Sequence, residues 1–216
     1  DMEHTGWSVE TIRTLCATSH GTDMLPLVRV PATEYHFIAR ALDMGAQGVM
    51  VPMVESVEQA EKIVKSAKYP PVGRRGSAFG IGHDDYTGGD VVEKMNSSNE
   101  HQLLIAQIET TNGLENVEGI AAVDGIDVLW IGQSDLSASI GIPGQFGHPD
   151  FVAAMDRVVN ACKDNGKIGG FMPTTLDLAE VVADKGFRML AWSGDVWIYQ
   201  AGLKAGMNSL REFIPK

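Results

Sequence analysis

The chain has 216 residues, of which 44% are hydrophobic and 21% are charged, and its formal net charge is -11 at pH 7. This composition is typical of a globular protein, and we expect one domain over residues 1–216. The excess of acidic groups argues against nucleic acid or anionic lipid as a partner. No apolar run approaches the roughly 18 residues of a membrane-spanning helix, so no membrane partner is expected. Cys16 and Cys162 match no metal-ligand spacing and indicate reduced core residues of a cytoplasmic protein.

Short apolar runs rich in β-branched residues alternate with longer segments of helical period along the chain. The apolar runs predict six strands, at 25–30, 48–52, 103–109, 128–132, 167–171 and 188–193. Helices are predicted between them, because Ser8 and Ser56 are suitable N-caps, Pro149 opens a further helix and Gly166 suits its end. The opening DMEH looks like the last turn of another strand. This alternation predicts a parallel sheet with crossover helices.

Two folds fit this pattern. A (β/α)8 TIM barrel takes about 250 residues, so a chain of this size would be a barrel without its first βα unit. A doubly wound open sheet is the alternative, but no turn after a strand carries the GxGxxG fingerprint of many such sheets. We therefore predict the barrel. The irregular stretch at 69–90, YPPVGRRGSAFGIGHDDYTGGD, is expected to be a surface loop of the length that often forms a functional lid.

Polar residues at the carboxyl ends of the predicted strands are candidates for one shared site, since the βα loops of a barrel form one face. Glu109 and Asp135 each follow a run that should be buried, and a buried carboxylate needs a cation or several hydrogen-bond donors. They predict a Mg²⁺ or Mn²⁺ site that water or substrate oxygens complete. The alternative is structural: Glu109 would pair with Arg29, and Asp135 would cap a helix that begins at Leu136.

Two further residues are candidates for the chemistry of this site. Arg29 interrupts an apolar strand, and its planar charge suits a carboxylate or an enolate, with a core ion pair as the alternative. His4 lies three residues after Asp1, whose carboxylate would orient the imidazole as a general base, although a lone histidine is more often structural. No lysine lies at the carboxyl end of a predicted strand, so Schiff-base catalysis is not expected.

Several segments together resemble one known family. They are DMEH, PLVRVP, ALDMGAQGVMVPMVES, YPPVGRRG, QIET, IDVLWIGQSDLSASIGIPGQFGHPDF and GKIGGF. From residue 1 to about Asp195 the chain is similar to the HpcH/HpaI aldolases, which are metal-dependent class II aldolases of 2-keto-3-deoxy acids. That family includes 4-hydroxy-2-oxoheptanedioate aldolase and 2-dehydro-3-deoxyglucarate aldolase. The resemblance implies a barrel of the phosphoenolpyruvate/pyruvate-binding type whose first strand and helix lie outside this chain.

The resemblance also implies roles for individual residues. His4 matches the family's catalytic base and Asp1 its partner, while Arg29 matches the arginine that contacts the enolate. Glu109 and Asp135 match the two ligands of a divalent cation, Mg²⁺ or Mn²⁺, with Co²⁺ as a further option. The implied reaction is aldol addition, or retro-aldol cleavage, through the enolate of pyruvate or hydroxypyruvate and an aldehyde acceptor.

Other parts of the site follow from the same resemblance. Gln107 matches a neighbouring polar residue, and Asp43 matches an aspartate that reaches the site of a neighbouring subunit. Backbone N–H groups from Gly132 through Ser134 to Asp135 would hold the substrate carboxylate. A homo-oligomer is implied, in the family a hexamer. The apolar spacing of residues 197–214 suits either a partner subunit or the barrel's own last helix.

The chain departs from the family pattern beside Asp135. The family often has G-P-x-D-L-S where this chain has GQSDLS, so Gln133 and Ser134 leave the choice between pyruvate and hydroxypyruvate open. The loop after GRRG also differs, and the aldehyde is left open. The nearest alternatives are an acyl-CoA lyase or an oxaloacetate decarboxylase with the same metal-enolate site. A non-catalytic barrel that serves as a binding subunit is the alternative from another class.

Overall fold

The computed structural model describes residues 1–214, and its centre is one parallel sheet of six strands in the order β1 to β6. The strands are β1 Leu27–Arg29, β2 Gly48–Val51, β3 Leu103–Ile108, β4 Val128–Ile131, β5 Ile168–Phe171 and β6 Met189–Leu190. All six predicted strands are confirmed, and so is the parallel sheet. A strand order that follows the chain is that of a barrel, whereas a doubly wound sheet reverses its order at a switch point.

The sheet is not closed among the described residues. There, β2 is the one strand paired with β1, and β5 is the one strand paired with β6. The observed architecture is therefore an α/β half-barrel of six curled parallel strands, with two strands fewer than an eight-stranded barrel.

Helices connect the strands and follow the last one. Over residues 1–214 the α-helices are α1 Val9–Ser19, α2 Tyr35–Asp43, α3 Val57–Ala67, α4 Val91–His101, α5 Thr111–Glu115, α6 Val117–Ala121, α7 Gln133–Ser139, α8 Pro149–Asp164, α9 Leu176–Lys185 and α10 Asp195–Glu212. Two predicted caps are confirmed: the Ser8 hydroxyl accepts from Thr11 N–H, and the Ser56 hydroxyl accepts from Gln59 N–H. Gly166 follows α8 with a φ of 66°, which favours glycine.

The two faces of the sheet are filled differently. Outward-pointing residues such as Val49 and Leu104 are fully buried under the helices. On the inner face, Trp130 packs with Ile105, and its ring lies against Gly170 of the paired strand so closely that a Cβ at position 170 would collide with it. Trp130 is thus the largest side chain of an apolar cluster inside the half-barrel that also contains Ile105 and Val128.

The last helix, α10, has no buried residue, and its apolar side chains Trp197, Ile198 and Leu203 are about half exposed. Whether residues 197–214 pack on a partner subunit or form the barrel's own last helix stays a prediction. No helix of the described chain is long and apolar enough to cross a membrane. Cys16 and Cys162 are both buried and unpaired, as predicted.

The loop at 69–90 lies at the amino end of the sheet, so within this chain the prediction of a lid over the site is wrong. The physical reason is its place in the order of elements: it joins α3 to α4, before β3 begins. A Cβ at Gly82 would lie 3.3 Å from the carbonyl oxygens of Asp43 and Met44, at the end of α2. Gln47, just before β2, lines the same polar cavity as this loop and α4.

Asp84 fixes the loop to its surroundings. Its carboxylate accepts from the backbone N–H groups of Gly80 and Ile81 at 2.8 and 2.9 Å, and from Lys94 Nζ at 2.5 Å. The side chain is only 9% exposed. Burial raises the pKa of Asp84, but the hydrogen bonds from Lys94 and the two backbone groups outweigh it and hold the pKa at about 2.

We expect Asp84→Asn to lower the free energy of unfolding by an amount that depends on pH. Because the folded pKa lies below the usual value of 3.8, the carboxylate stabilises the fold fully above about pH 4 and loses this effect as the pH falls towards 2. The shift corresponds to ~2 kcal/mol. Urea unfolding should show that Asp84→Asn is less stable than the wild type by this amount at neutral pH. The difference between the two proteins should shrink towards zero near pH 2. A difference independent of pH contradicts the assignment, and Glu61→Gln, on an exposed face, is the control.

Candidate active site

The DMEH segment lies beside the carboxyl end of β1, where the sequence predicted it. Met2 N–H donates to the carbonyl oxygen of Arg29 at 2.9 Å. The segment is not assigned as a strand, but this bond has the form of a contact between neighbouring strands. It brings Asp1, Glu3 and His4 next to the Arg29 side chain.

Arg29 is held by two carboxylates of this segment. Its Nε and Nη2 donate to the two oxygens of Asp1 at 3.0 and 2.6 Å, in a two-pronged ion pair. Its Nη1 lies 3.1 Å from Glu3 Oε2. These contacts correct the prediction that Asp1 orients His4. The physical reason is that a planar guanidinium engages both oxygens of a carboxylate, whereas an imidazole nitrogen engages one.

His4 lies on the outer side of the same cluster. Its side chain is 63% exposed, and its Nε2 lies 3.7 Å from Glu3 Oε2. That oxygen is buried and accepts no well-aligned hydrogen bond, because Arg29 Nη1 approaches it at an unfavourable angle. No role was predicted for Glu3 from the sequence. The structure makes it the carboxylate nearest the imidazole.

Glu109 follows β3 directly and is buried, with 2% of its surface exposed. Its Oε1 accepts the backbone N–H of Met53 at 2.7 Å, and its Oε2 accepts from the side-chain amide of Gln107. Burial raises the pKa of Glu109, against the effect of these two bonds, and the charges of Glu3 and Asp135 raise it further. The structure therefore brings carboxylates from three strand ends close enough to repel one another.

The structural alternatives for these residues are not realised. The ion pairs of Arg29 go to the DMEH segment, and none joins it to Glu109 among the described residues. The helix α7 begins earlier than predicted, with Gly132 as its N-cap, and no side chain caps it. Asp135 and the neighbouring Ser134 lie exposed in its first turn, where Asp135 has no capping role.

Met53 is a site residue that the sequence analysis missed. Its φ is 53°, in the left-handed region that costs a residue with a side chain about 1 kcal/mol or more. This conformation turns its N–H towards Glu109 Oε1. A methionine carries no sequence signal for a left-handed backbone, in contrast to glycine or asparagine, so nothing marked the position. A strained backbone next to a buried carboxylate is typical of a functional site.

Gln107 and Gly132 complete the wall around Glu109. Gln107 is buried, and its Oε1 has no hydrogen-bond donor. A Cβ at Gly132 would collide with Glu109 Oε2 and would lie 2.9 Å from Gln107 Nε2. The N–H of Gly132 donates to Ile108 O at 3.1 Å, so it is not free to bind a substrate carboxylate as predicted. Gly132 contributes to the site because the absence of a side chain leaves room for Glu109 and Gln107.

We expect Gly132→Ala to remove activity while the protein stays folded. The added methyl group must displace the side chains of Glu109 or Gln107, because the backbone on either side belongs to β4 and α7. The cation affinity, measured by Mn²⁺ titration, should fall by about 10-fold or more. Gly147→Ala is the matched control, since nothing lies within 4 Å of a Cβ there. Unchanged Mn²⁺ affinity in Gly132→Ala would contradict the steric role.

Asp43 is not part of this site within one chain. Asp43 is the last residue of α2 and lies at the amino ends of the strands, whereas the site lies at their carboxyl ends. Its Oδ1 accepts from Arg75 Nε and Nη2 at 3.2 and 2.6 Å, and the Arg75 guanidinium is buried over the ring of Tyr69. The structure thus places Asp43 in an ion pair that fixes the loop at 69–90 to α2.

The charge of the site is unbalanced. Asp1, Glu3, Glu109 and Asp135 provide four carboxyl groups, and Arg29 provides one guanidinium. Buried oxygens without donors beside several carboxylates suit a hard divalent cation. In residues 1–214, no three His, Cys, Asp or Glu side chains converge as a preformed metal site. A cation here would take part of its coordination from water or substrate oxygens.

A family model described as HpcH/HpaI aldolase/citrate lyase matches residues 1–200 of this chain, a range that includes every residue of the site. The chain belongs to the HpcH/HpaI aldolase/citrate lyase family. The predicted family is thereby confirmed.

Similar proteins from the HpcH/HpaI family are named as aldolases. The hydroxypyruvate/pyruvate aldolase of Roseobacter denitrificans is 37% identical over 196 residues, which are 91% of this chain and 76% of that protein. The 5-keto-4-deoxy-D-glucarate aldolase of Shigella dysenteriae is 36% identical over 192 residues, 89% and 72% of the two chains. The crystal structure of an HpcH/HpaI aldolase from Desulfitobacterium hafniense has a TM-score of 0.93 and 32% identity, and the match covers 100% of this chain and 83% of that one.

Gln133 is the residue at which the sequence departs from the G-P-x-D-L-S pattern given above. Its side chain is buried, and its Nε2 donates to the carbonyl oxygen of Met172, just after β5, at 2.9 Å. A proline could not make this bond. The first turn of α7, which contains Asp135, is therefore fixed to the segment that follows β5.

Proposed function

We propose that this protein catalyses metal-dependent aldol addition and retro-aldol cleavage of 2-keto acids, through the enolate of pyruvate or hydroxypyruvate and an aldehyde acceptor. The observation that carries the proposal is the cluster in which buried Glu109 is close enough to Glu3 and to exposed Asp135 to be acted on by their charges, while Glu3 in turn contacts Arg29. The printed names of the Roseobacter and Shigella relatives support the substrate class.

Glu109 and Asp135 would hold the divalent cation, Mg²⁺ or Mn²⁺, with Co²⁺ as a further option. The residues present fit such a group, because the site has excess carboxylates and buried oxygens without donors. When bound, the cation supplies Lewis acidity that makes the carbon next to the keto group more acidic. Gln107 and Met53 orient Glu109 by donating to its two oxygens. Such supporting hydrogen bonds fix the direction of a ligand.

Arg29 would stabilise negative charge on the keto oxygen as the enolate forms. The two bonds to Asp1 fix the plane of its guanidinium, so little reorganisation is needed when the charge develops. Nη1 is the donor best placed to turn to the substrate, since its contact with Glu3 is not an aligned hydrogen bond. The substrate carboxylate would bind to the backbone N–H groups of 133–135.

His4 would act as the general base that removes the proton from C3 of the donor. Its side chain is 63% exposed and contacts Glu3 through Nε2, so one face of the ring is open to solvent. A bound keto acid and aldehyde would cover this face and exclude water from the proton transfer.

The test is the exchange of C3 hydrogens of pyruvate, and in parallel of hydroxypyruvate, for deuterium in D₂O, followed by NMR. We expect exchange with Mg²⁺ or Mn²⁺, loss of exchange with EDTA, and recovery when the cation is restored. The assay needs no aldehyde, so it is independent of the acceptor. Absence of exchange when Mn²⁺ is demonstrably bound contradicts the proposal. Carbon–carbon cleavage of a hydroxyacyl-CoA, with its thioester left intact, would in that case support the lyase alternative. Loss of oxaloacetate without C3 exchange would support the decarboxylase.

The remaining expectations concern the assembly. We propose a closed eight-unit barrel in one domain, a cytoplasmic homo-oligomer, and a contribution of Asp43 to the site of a second copy. Two observations support the contribution of Asp43. It lies at the amino end of the sheet, remote from the site of its own chain, and Arg75 donates to its Oδ1 and not to its Oδ2. The open edges at β1 and β6 support the closure, since unpaired strand edges are normally covered.

A further inference from the structure

We infer that Arg75 is a positioning residue for the site of a second copy: it holds Asp43 so that one carboxylate oxygen faces outward to that site. The inference rests on the proposed function and on the contribution of Asp43 proposed above. It goes beyond both, because it gives a role to the YPPVGRRG segment at 69–76, to which none was assigned.

Asp43 lies too far from the site of its own chain to act there. It is the last residue of α2, at the amino ends of the strands, whereas Glu109 and the DMEH segment lie at their carboxyl ends. The six residues of β3 alone separate these two ends by roughly 20 Å, at about 3.3 Å per residue. The side chain of Asp43 is 23% exposed, so a second copy can approach its carboxylate.

Arg75 binds one oxygen of Asp43 and leaves the other free. Its Nε and Nη2 donate to Oδ1 at 3.2 and 2.6 Å, and Oδ2 accepts no hydrogen bond from the described residues. In the ion pair at the active site, by contrast, Arg29 engages both oxygens of Asp1. A carboxylate held through one oxygen keeps the second as an acceptor for a group outside the chain.

The guanidinium of Arg75 is itself fixed on every side. Its side chain is fully buried, and its Cζ lies 4.7 Å from the centroid of the Tyr69 ring. With the amide of Gln102 oriented so that donors meet acceptors, Gln102 Oε1 accepts from Arg75 Nη1 at 2.5 Å. All three nitrogens therefore have protein partners, and the direction of Asp43 is set before a second copy binds.

The backbone of the segment adds to this rigidity. Arg75 N–H donates to the carbonyl oxygen of Lys68 at 3.0 Å, which folds the segment back on the end of α3. This turn is so tight that a Cβ at Gly73 would collide with the same oxygen. Supporting contacts of this kind fix the direction of a functional side chain and are needed for its full effect.

Exchange kinetics with Mn²⁺ test the role in Arg75→Lys, which keeps the charge but loses the planar fork. We expect kcat for pyruvate exchange to fall by about 10-fold or more, with KM and Mn²⁺ affinity changed by less than about 3-fold. In an Asp43→Asn background, Arg75→Lys should have almost no further effect, because Arg75 acts through Asp43. Effects that multiply, or a wild-type kcat in Arg75→Lys, would overturn the inference.

Arg157→Lys is the matched control for this series. Arg157 also donates through Nε and Nη2 to a carboxylate, that of Glu118, but the pair lies on an exposed face. Its kcat should equal that of the wild type. An equal loss of kcat in Arg157→Lys and Arg75→Lys would show a general effect of weakened ion pairs and would overturn the inference.

Assemblies of two variants test whether Arg75 acts on a second copy. Arg75→Lys and His4→Ala are co-expressed with different tags, and assemblies that contain both tags are purified. A site that takes His4 from one copy and Asp43 with Arg75 from the next is intact in about a quarter of random pairings, so exchange should return to about that fraction of the wild-type rate. Failure to exceed the rate of Arg75→Lys alone would overturn the inference.

Gln102→Glu keeps the test decisive if Arg75→Lys does not fold. It places a competing carboxylate at Arg75 Nη1 without changing the size of the side chain. We expect kcat for exchange to fall by about 3-fold or more where Asp43 is present and to stay unchanged in an Asp43→Asn background. A wild-type kcat in folded Gln102→Glu contradicts the inference. Absence of exchange in the wild type with Mn²⁺ bound overturns the proposed function instead, so the two failures are distinguishable.

Discussion

Glu109→Gln is expected to lose Mn²⁺ binding and pyruvate exchange together, with exchange lowered by about 10³-fold or more. Glutamine keeps the size of the side chain and can still accept the Met53 N–H, so the fold should persist. It lacks the negative charge that a divalent cation requires. Burial raises the pKa of Glu109 in the metal-free site, so protons should compete with the cation, and Mn²⁺ affinity of the wild type should increase with pH.

The control for this variant is Glu118→Gln, which removes an exposed carboxylate paired with Arg157. Mn²⁺ binding is measured by titration, exchange by NMR, and folding by circular dichroism on the same samples. Glu109→Gln with normal Mn²⁺ affinity would remove Glu109 from the metal site. Lost exchange with normal Mn²⁺ affinity would instead give Glu109 a role in the chemical step.

Arg29→Lys should lower kcat for exchange by about 10²- to 10³-fold at saturating pyruvate. Lysine keeps one positive charge but loses the planar fork that now holds both oxygens of Asp1 and the third nitrogen that faces Glu3. The two carboxylates would compete for a single ammonium group, and the donor for the enolate oxygen would be lost. Because this oxygen is fully charged only after proton removal, the main effect should be on kcat rather than on KM.

Arg13→Lys is the matched control, since Arg13 is exposed and its guanidinium donates only to the Tyr86 hydroxyl among the described residues. It should exchange pyruvate at the wild-type rate. If Arg29→Lys raised KM alone and left turnover at saturation unchanged, Arg29 would bind the keto acid without stabilising the enolate. The split between kcat and KM therefore decides between these two roles.

The fold was largely predictable because buried parallel strands leave a strong signal. Each of the six apolar runs contains a strand, since a strand covered on both faces is apolar along most of its length. The place of the loop at 69–90 was not predicted, because length and composition indicate a loop but not which end of the sheet it covers. The order of elements contains that information: a segment that precedes a strand lies at the amino end.

The site was predicted at the level of residue positions and less well at the level of contacts. Glu109 and Asp135 were placed at strand ends because a carboxylate after a buried run is conspicuous. Asp1, Glu3 and His4 are nearly adjacent in the chain, and side-chain conformations decide which carboxylate contacts which base. The identities of four residues do not determine those conformations. The prediction that Asp1 orients His4 was therefore wrong, because Asp1 binds Arg29 instead.

The backbone at Met53 bears on how this enzyme would respond to selection in the laboratory. Asparagine tolerates a φ of 53° better than methionine, and it keeps the N–H that Glu109 accepts. A library randomised at this position and sorted only for resistance to heat should therefore be enriched in asparagine. Since the contact to Glu109 comes from the main chain, such clones should remain active. A substitution at position 53 should then raise thermal stability without the decrease in kcat that often accompanies stabilisation.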